Sequence, residues 1–90
     1  MYNLDIRPTL KKKLVKLGAR DPKQAKSIAK KSEEIVIDPN RYKNLRAPLN
    51  HWKRVHIGKH FVLTFSIDED TKTVILEDYD HHDNIYKRKK

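Results

Sequence analysis

The residues best equipped for chemistry lie in the second half of the chain. Asp80-His81-His82-Asp83 is followed at short range by Tyr86, and Trp52-Lys53-Arg54-Val55-His56 precedes a glycine turn and His60. Imidazole is the side chain that titrates near neutrality, so the paired histidines are candidates for taking or giving a proton. Their other chemistry is metal ligation, for which His and Asp are common ligands. Adjacent residues on a strand point to opposite faces and chelate one ion poorly, and on that ground no metal site and no cofactor are expected. Lys53, Arg54, His56 and His60 form a run of cationic and titratable groups suited to a phosphate backbone, and Trp52 beside them can stack a base. Each has a plain structural alternative. Trp52 and Tyr86 could be packing residues, His81 could close a strand with His82 solvated, and the run from Lys53 to His56 could be an ordinary wet strand face.

The charge balance favours a polyanionic partner. Net charge is +9, and its distribution is uneven. Residues 1–60 carry 16 Lys and Arg against five Asp and Glu, whereas residues 61–90 carry five against seven. A solubilising surface would mix the signs; an excess of cations raises the encounter rate with nucleic acid and supplies phosphate contacts. There is no cysteine, so disulfides and thiolate metal sites are excluded and a reducing, cytoplasmic location is expected. No apolar run approaches the roughly 18 residues that a membrane span needs, and the N-terminal residues do not read as a signal peptide.

The elements that must position these residues can be read from hydrophobic period. Tyr2 to Arg7 alternates, with Leu4 and Ile6 on one face, and predicts a short first strand. Pro8 opens a helix whose stripe is Leu10, Leu14 and Leu17, with Gly18 as its stop. Asp21-Pro22-Lys23-Gln24 starts a second helix, with Asp21 as N-cap and Gln24 placed to complete a capping box. Its face runs through Ala25, Ile28, Ala29 and Ser32 to Ile35 or Val36, and Asp38-Pro39 ends it. Residues 39–51 show no period. From Lys53 the pattern is β: Val55 and Ile57 alternate with Arg54 and His56, and Gly58-Lys59 turns. Along His60 to Ile67, Phe61, Leu63, Phe65 and Ile67 share one face, with His60, Val62, Thr64 and Ser66 on the other. Asp68-Glu69-Asp70 turns again, and Thr73 to Tyr79 is a last strand. The prediction is one α+β domain over residues 1–90, β-α-α-β-β-β. It has an antiparallel sheet, a two-helix hairpin on one face and a frayed basic tail at 87–90. The helices cover the face of Phe61 and Leu63, so Arg54, His56 and His60 are displayed on the other, with Trp52 near its edge.

This element order resembles the RelE/ParE toxin superfamily. So do Leu45-Arg46-Ala47-Pro48-Leu49, Lys53-Arg54-Val55-His56-Ile57-Gly58, the strand His60 to Ile67 and the end Asp80-His81-His82-Asp83-Asn84-Ile85-Tyr86. The resemblance implies a toxin paired with an acidic, RelB-like antitoxin. RelE-like members cut messenger RNA without metal, often on the ribosome, by attack of a 2′-hydroxyl on the adjacent phosphate. ParE-like members share the fold and poison DNA gyrase, and a relative that has lost catalysis could keep RNA binding alone; fold does not choose among these. Ribonuclease chemistry needs a base, an acid and fixed cations for the phosphorane. By the resemblance, Tyr86 matches the family's terminal tyrosine and Lys53 and Arg54 its basic strand. His82 stands where RelE commonly has arginine, and His60 or Phe61 lies near a second arginine position. The implied catalytic set is His81, His82, Tyr86, Arg54 and Lys53. Arg46, Trp52, Lys53, Arg54, His56 and His60 are the implied RNA contacts. The active site is placed on the sheet face opposite the helices, where residues 80–86 return over Arg54 and His56.

Overall fold

A computed structural model describes residues 1–87. In chain order the elements are β1 (Asn3–Ile6), α1 (Pro8–Arg20), α2 (Pro22–Ile37), a single 3-10 turn (Pro39–Arg41), β2 (Lys53–Ile57), β3 (Phe61–Asp68), β4 (Thr73–His81) and α3 (His82–Lys87). Of the basic tail expected at 87–90, Lys87 closes α3 and the rest lies outside the described residues.

The helical hairpin forms because each helix buries one stripe. Leu10 and Leu17 of α1 and Ile28, Ile35 and Val36 of α2 meet Val55, Ile57, Leu63, Phe65, Val74, Leu76 and Tyr79 of the sheet in one core. Each large apolar side chain so buried contributes about 1.5–3 kcal/mol relative to exposure. Gly18 does not stop α1. The break comes at Asp21, whose backbone is extended ahead of Pro22 (φ −142°, ψ 80°) and whose N–H donates to the Leu17 carbonyl at 2.7 Å. Asp21 Oδ1 accepts the Gln24 N–H at 3.2 Å, which is half of the expected capping box. The other half is absent, because the Gln24 amide instead donates to the Tyr79 hydroxyl at 2.9 Å and ties α2 to the sheet.

The fold class is α+β as expected, with the hairpin on one face, but the sheet is mixed. Its order is β1-β4-β3-β2. β2, β3 and β4 form an antiparallel meander, while β1 pairs in parallel with β4 from Asn3↔Thr73 to Ile6↔Leu76. The reason is where α2 delivers the chain. Its end lies against the start of β1, the Tyr2 N–H donating to the Val36 carbonyl at 2.9 Å. β2 therefore sets out from the same end of the sheet as β1, and two reversals bring β4 back to that direction.

Two local features shape the sheet. Gly58 turns the chain from β2 into β3 with φ +63°, a conformation that a side chain would strain. In β4, Thr64 faces Asp78 while Phe65 faces Leu76, so Glu77 is the extra residue of a bulge. Its buried carboxylate accepts from Arg7 Nε at 2.8 Å and Ser66 Oγ at 2.6 Å. Burial pushes the Glu77 carboxyl upward, but the hydrogen bonds from Arg7 and Ser66 and the Arg7 charge outweigh it. The net position is below the ordinary carboxylate range.

The second sheet face carries a smaller core of its own. Leu45, Val62 and Ile85 are buried together there, with Leu49, Trp52 and Tyr86 packed around them. This cluster holds α3 and the segment 45–52 down on the sheet. No helix among the described residues is long and apolar enough to cross a membrane.

Candidate functional site

Strand alternation decides which side chains of β2 reach this second face. Val55 and Ile57 are buried in the helix-side core, so Arg54 and His56 point the other way. Lys53 has the parity of Val55, and its ammonium donates to the Tyr42 carbonyl at 2.9 Å and to Asn44 Oδ1 at 3.0 Å. Lys53 thus braces the segment leading into β2, and the structure does not group it with Arg54.

α3 brings the chain end to Arg54. Its first N–H, from His82, donates to the His60 carbonyl at 2.8 Å, and Asn84 Nδ2 donates to Asp80 Oδ1 at 3.0 Å. With Ile85 buried beneath, Tyr86 comes round one turn from His82, and their rings meet edge-on with centroids 6.0 Å apart. Arg54 Nη1 donates to the Tyr86 hydroxyl at 2.6 Å. Arg54, Tyr86, Asn44, Leu45 and Arg46 line a groove of about 290 Å³. A neighbouring depression of about 310 Å³ is lined by Arg41, Tyr42, Lys43, Arg54 and His56, so Arg54 forms the wall between the two.

His60, His81 and His82 continue the site along the sheet end. His60 and His81 stack at 5.9 Å and the His81 and His82 centroids are 5.2 Å apart. His81 Nδ1 accepts the Asp83 N–H at 3.2 Å, which in the neutral ring leaves the proton on Nε2. His82 Nδ1 is shielded from solvent and has no hydrogen-bond partner among the described residues, although Asp83 Oδ1 lies 3.3 Å away. The argument that adjacent strand residues diverge does not apply here. β4 ends at His81 and α3 begins at His82, so the turn brings both rings toward Asp83.

Of the residues singled out from sequence, the structure brings together Arg46, Arg54, His82 and Tyr86, with His81, His60 and His56 adjoining. Trp52 is half-buried in the second core, held there by Leu45, Val62 and Ile85. Sequence reasoning missed Arg41, Lys43 and Asn44. The signal available was the cation spacing Arg41, Lys43, Arg46 in a stretch without period, but nothing local said that it would fold over β2.

The architecture is a mixed four-stranded sheet with a helical hairpin on one face and a cationic groove on the other. One chain of the Mycobacterium tuberculosis RelBE2 toxin–antitoxin complex is similar in fold, with a TM-score of 0.75 at 23% identity over 89% of this chain and 96% of that one. No protein-family model matches the chain. Two archaeal proteins align along it. One, from Methanocaldococcus jannaschii, carries the name toxin RelE4 and is 61% identical over 90 residues, all of this chain and 96% of the relative. The other, an uncharacterized protein of Methanosarcina mazei, is 59% identical over 86 residues, 96% of this chain and 100% of the relative. The chain belongs to the RelE toxin family.

Proposed function

We propose that this chain is the toxin of a toxin–antitoxin pair and acts as an endoribonuclease on messenger RNA in the cytoplasm. The observation that carries the reading is the 2.6 Å bond from Arg54 to Tyr86 at the wall of a groove that Arg46 also lines. Arg41 and Lys43 extend its cationic rim past Arg54. A groove so lined takes a single-stranded phosphate backbone, and Arg54 is placed to offset charge on a phosphorane. The reaction needs no group beyond these side chains. A base removes the 2′-hydroxyl proton, the oxygen attacks the adjacent phosphorus, and an acid protonates the departing 5′-oxygen. His82 and His81 serve as the proton-transfer pair, one accepting as neutral imidazole and the other donating as imidazolium, and Tyr86 positions the phosphate through its bond to Arg54. The +9 charge and the exposed cations suit an acidic antitoxin that folds on binding and covers the groove, and they suit ribosomal RNA as the setting for the cut.

The test is induction in a bacterial host with primer-extension mapping on a translated message. Wild type should cut, while His82→Ala and Tyr86→Phe should cut far less. Equal cutting by both variants overturns the assignment of the site. Growth arrest with broken DNA and intact messages would instead point to the gyrase-directed branch, and neither effect to an RNA-binding relative without catalysis.

A further inference from the structure

His81, His82 and Asp83 carry one feature that proton transfer does not require. The Asp83 carboxylate straddles the two rings, Oδ2 lying 3.7 Å from His81 Nδ1 and Oδ1 lying 3.3 Å from His82 Nδ1. One ligand atom from each of the three residues falls within 4.8 Å of the others. We propose that these three residues form a binding site for a zinc-type transition-metal dication, and that occupancy switches the nuclease off.

The donor chemistry supports the class of ion. Two imidazole nitrogens and one carboxylate oxygen suit zinc and its neighbours, whereas magnesium and calcium prefer oxygen alone. Zinc bonds of about 2.0–2.2 Å set tetrahedral ligand atoms roughly 3.3 Å apart. The His82–Asp83 pair already has that separation, and the widest pair must close by ~1.5 Å. Closing it is within reach of side-chain rotation, because His81, His82 and Asp83 are 38%, 43% and 63% exposed. The tautomer is also suitable. The Asp83 N–H marks His81 Nδ1 as the unprotonated nitrogen of the neutral ring, and an ion there displaces that bond and takes the same lone pair, whereas His82 Nδ1 has no hydrogen bond to give up. Three protein ligands leave a fourth position open to water or to an RNA phosphate.

The consequence for function rests on the ribonuclease reading. An ion held on Nδ1 of both rings fixes them away from a 2′-hydroxyl, and its charge opposes the protonation that a base must undergo. Removing it restores the site.

The test uses the full chain and zinc ion alone, in competition with a chromophoric chelator, together with nitrogen-detected histidine spectra. Wild type should take up one zinc per chain, with shifts at His81 and His82. His81→Ala and His82→Ala should each lose at least tenfold in affinity, and His51→Ala none. RNA cleavage should fall on adding zinc and return with excess chelator. Zinc shifts at His51, His56 or His60 with His81 and His82 unmoved overturn the site, as does unchanged uptake by the His81→Ala/His82→Ala variant. The spectra are read on wild type, so a variant that fails to fold does not blunt the test. Stoichiometric zinc uptake by a protein that cleaves no RNA leaves the site standing and overturns the switch.

Discussion

Truncating Ile85 should disable the candidate site while sparing most of the fold. Ile85 is fully buried, packed with Leu45 and Val62 on the sheet face away from the hairpin. An Ile→Ala change in such a place costs about 2–5 kcal/mol. α3 has six residues, far short of the 12–15 that make an isolated helix even marginal in water, so docking is what keeps it folded. Its other ties include the His82–His60 bond at 2.8 Å, Asp83–His81 at 3.2 Å, Asn84–Asp80 at 3.0 Å and Arg54–Tyr86 at 2.6 Å. Each is worth about 0.5–1.5 kcal/mol net, less than the lost isoleucine. Even 2 kcal/mol shifts the docking equilibrium about 30-fold toward release. The helix-side core of Leu10, Ile35, Leu63 and Phe65 is untouched. In Ile85→Ala, amide exchange over residues 83–87 should therefore accelerate by about 30-fold or more, the urea midpoint should fall by less than the full truncation cost, and RNA cleavage should drop with Tyr86 and His82 displaced. Unchanged exchange over 83–87 with a full 2–5 kcal/mol global loss would refute the local-docking argument. Undiminished cleavage by a protein whose segment is shown to be undocked would remove His82 and Tyr86 from the site.

Arg54→Ala should lower cleavage by about 10²–10³, as for loss of one donor to a developing charge, while costing no more stability than the ~0.5–1.5 kcal/mol of its bond to Tyr86; a loss of cleavage below about tenfold would place the phosphorane elsewhere. Affinity for single-stranded RNA should fall with salt at a log–log slope of about −0.7 per phosphate contact. Arg41→Ala and Lys43→Ala should each make that slope shallower by about 0.7 if both line the path, and an unaltered slope excludes them. Glu77 is held below the ordinary carboxylate range, so its contribution to stability is complete above that range and is lost as pH falls through its lower folded value. Glu77→Gln should accordingly lower the urea midpoint at neutral pH and flatten its acid-side decline, and parallel pH profiles for the two proteins would contradict this. Asp21→Ala should cost about 0.5–2 kcal/mol through loss of the α2 cap, read from thermal unfolding.

Most elements were legible because their signals are local. The leucine stripe of α1, the Asp21-Pro22 start of α2, the Gly58 turn and the alternation through Phe61 and Leu63 each report on a few consecutive residues, and short-range sterics and burial period are enough to read them. Alternation also contained the answer for β2: with Val55 and Ile57 inward, Arg54 faces the groove and Lys53 does not. What the chain does not encode locally is partnership at long range. The parallel pairing of β1 with β4 joins residues about 70 apart in sequence, from Asn3↔Thr73 to Ile6↔Leu76, and depends on where α2 returns the chain. α3 has too few residues for a periodic signal and folds because Ile85 finds Leu45 and Val62. The approach of Tyr86 to Arg54 follows from that burial, while the fold of residues 41–46 over β2 rests on the Lys53 bonds to Tyr42 and Asn44 and on the Arg54 N–H bond to the Lys43 carbonyl. A sequence can name the side chains capable of chemistry, but only the packed second face decides which of them share a groove, because the free energy that seats them comes from contacts between segments that are remote along the chain.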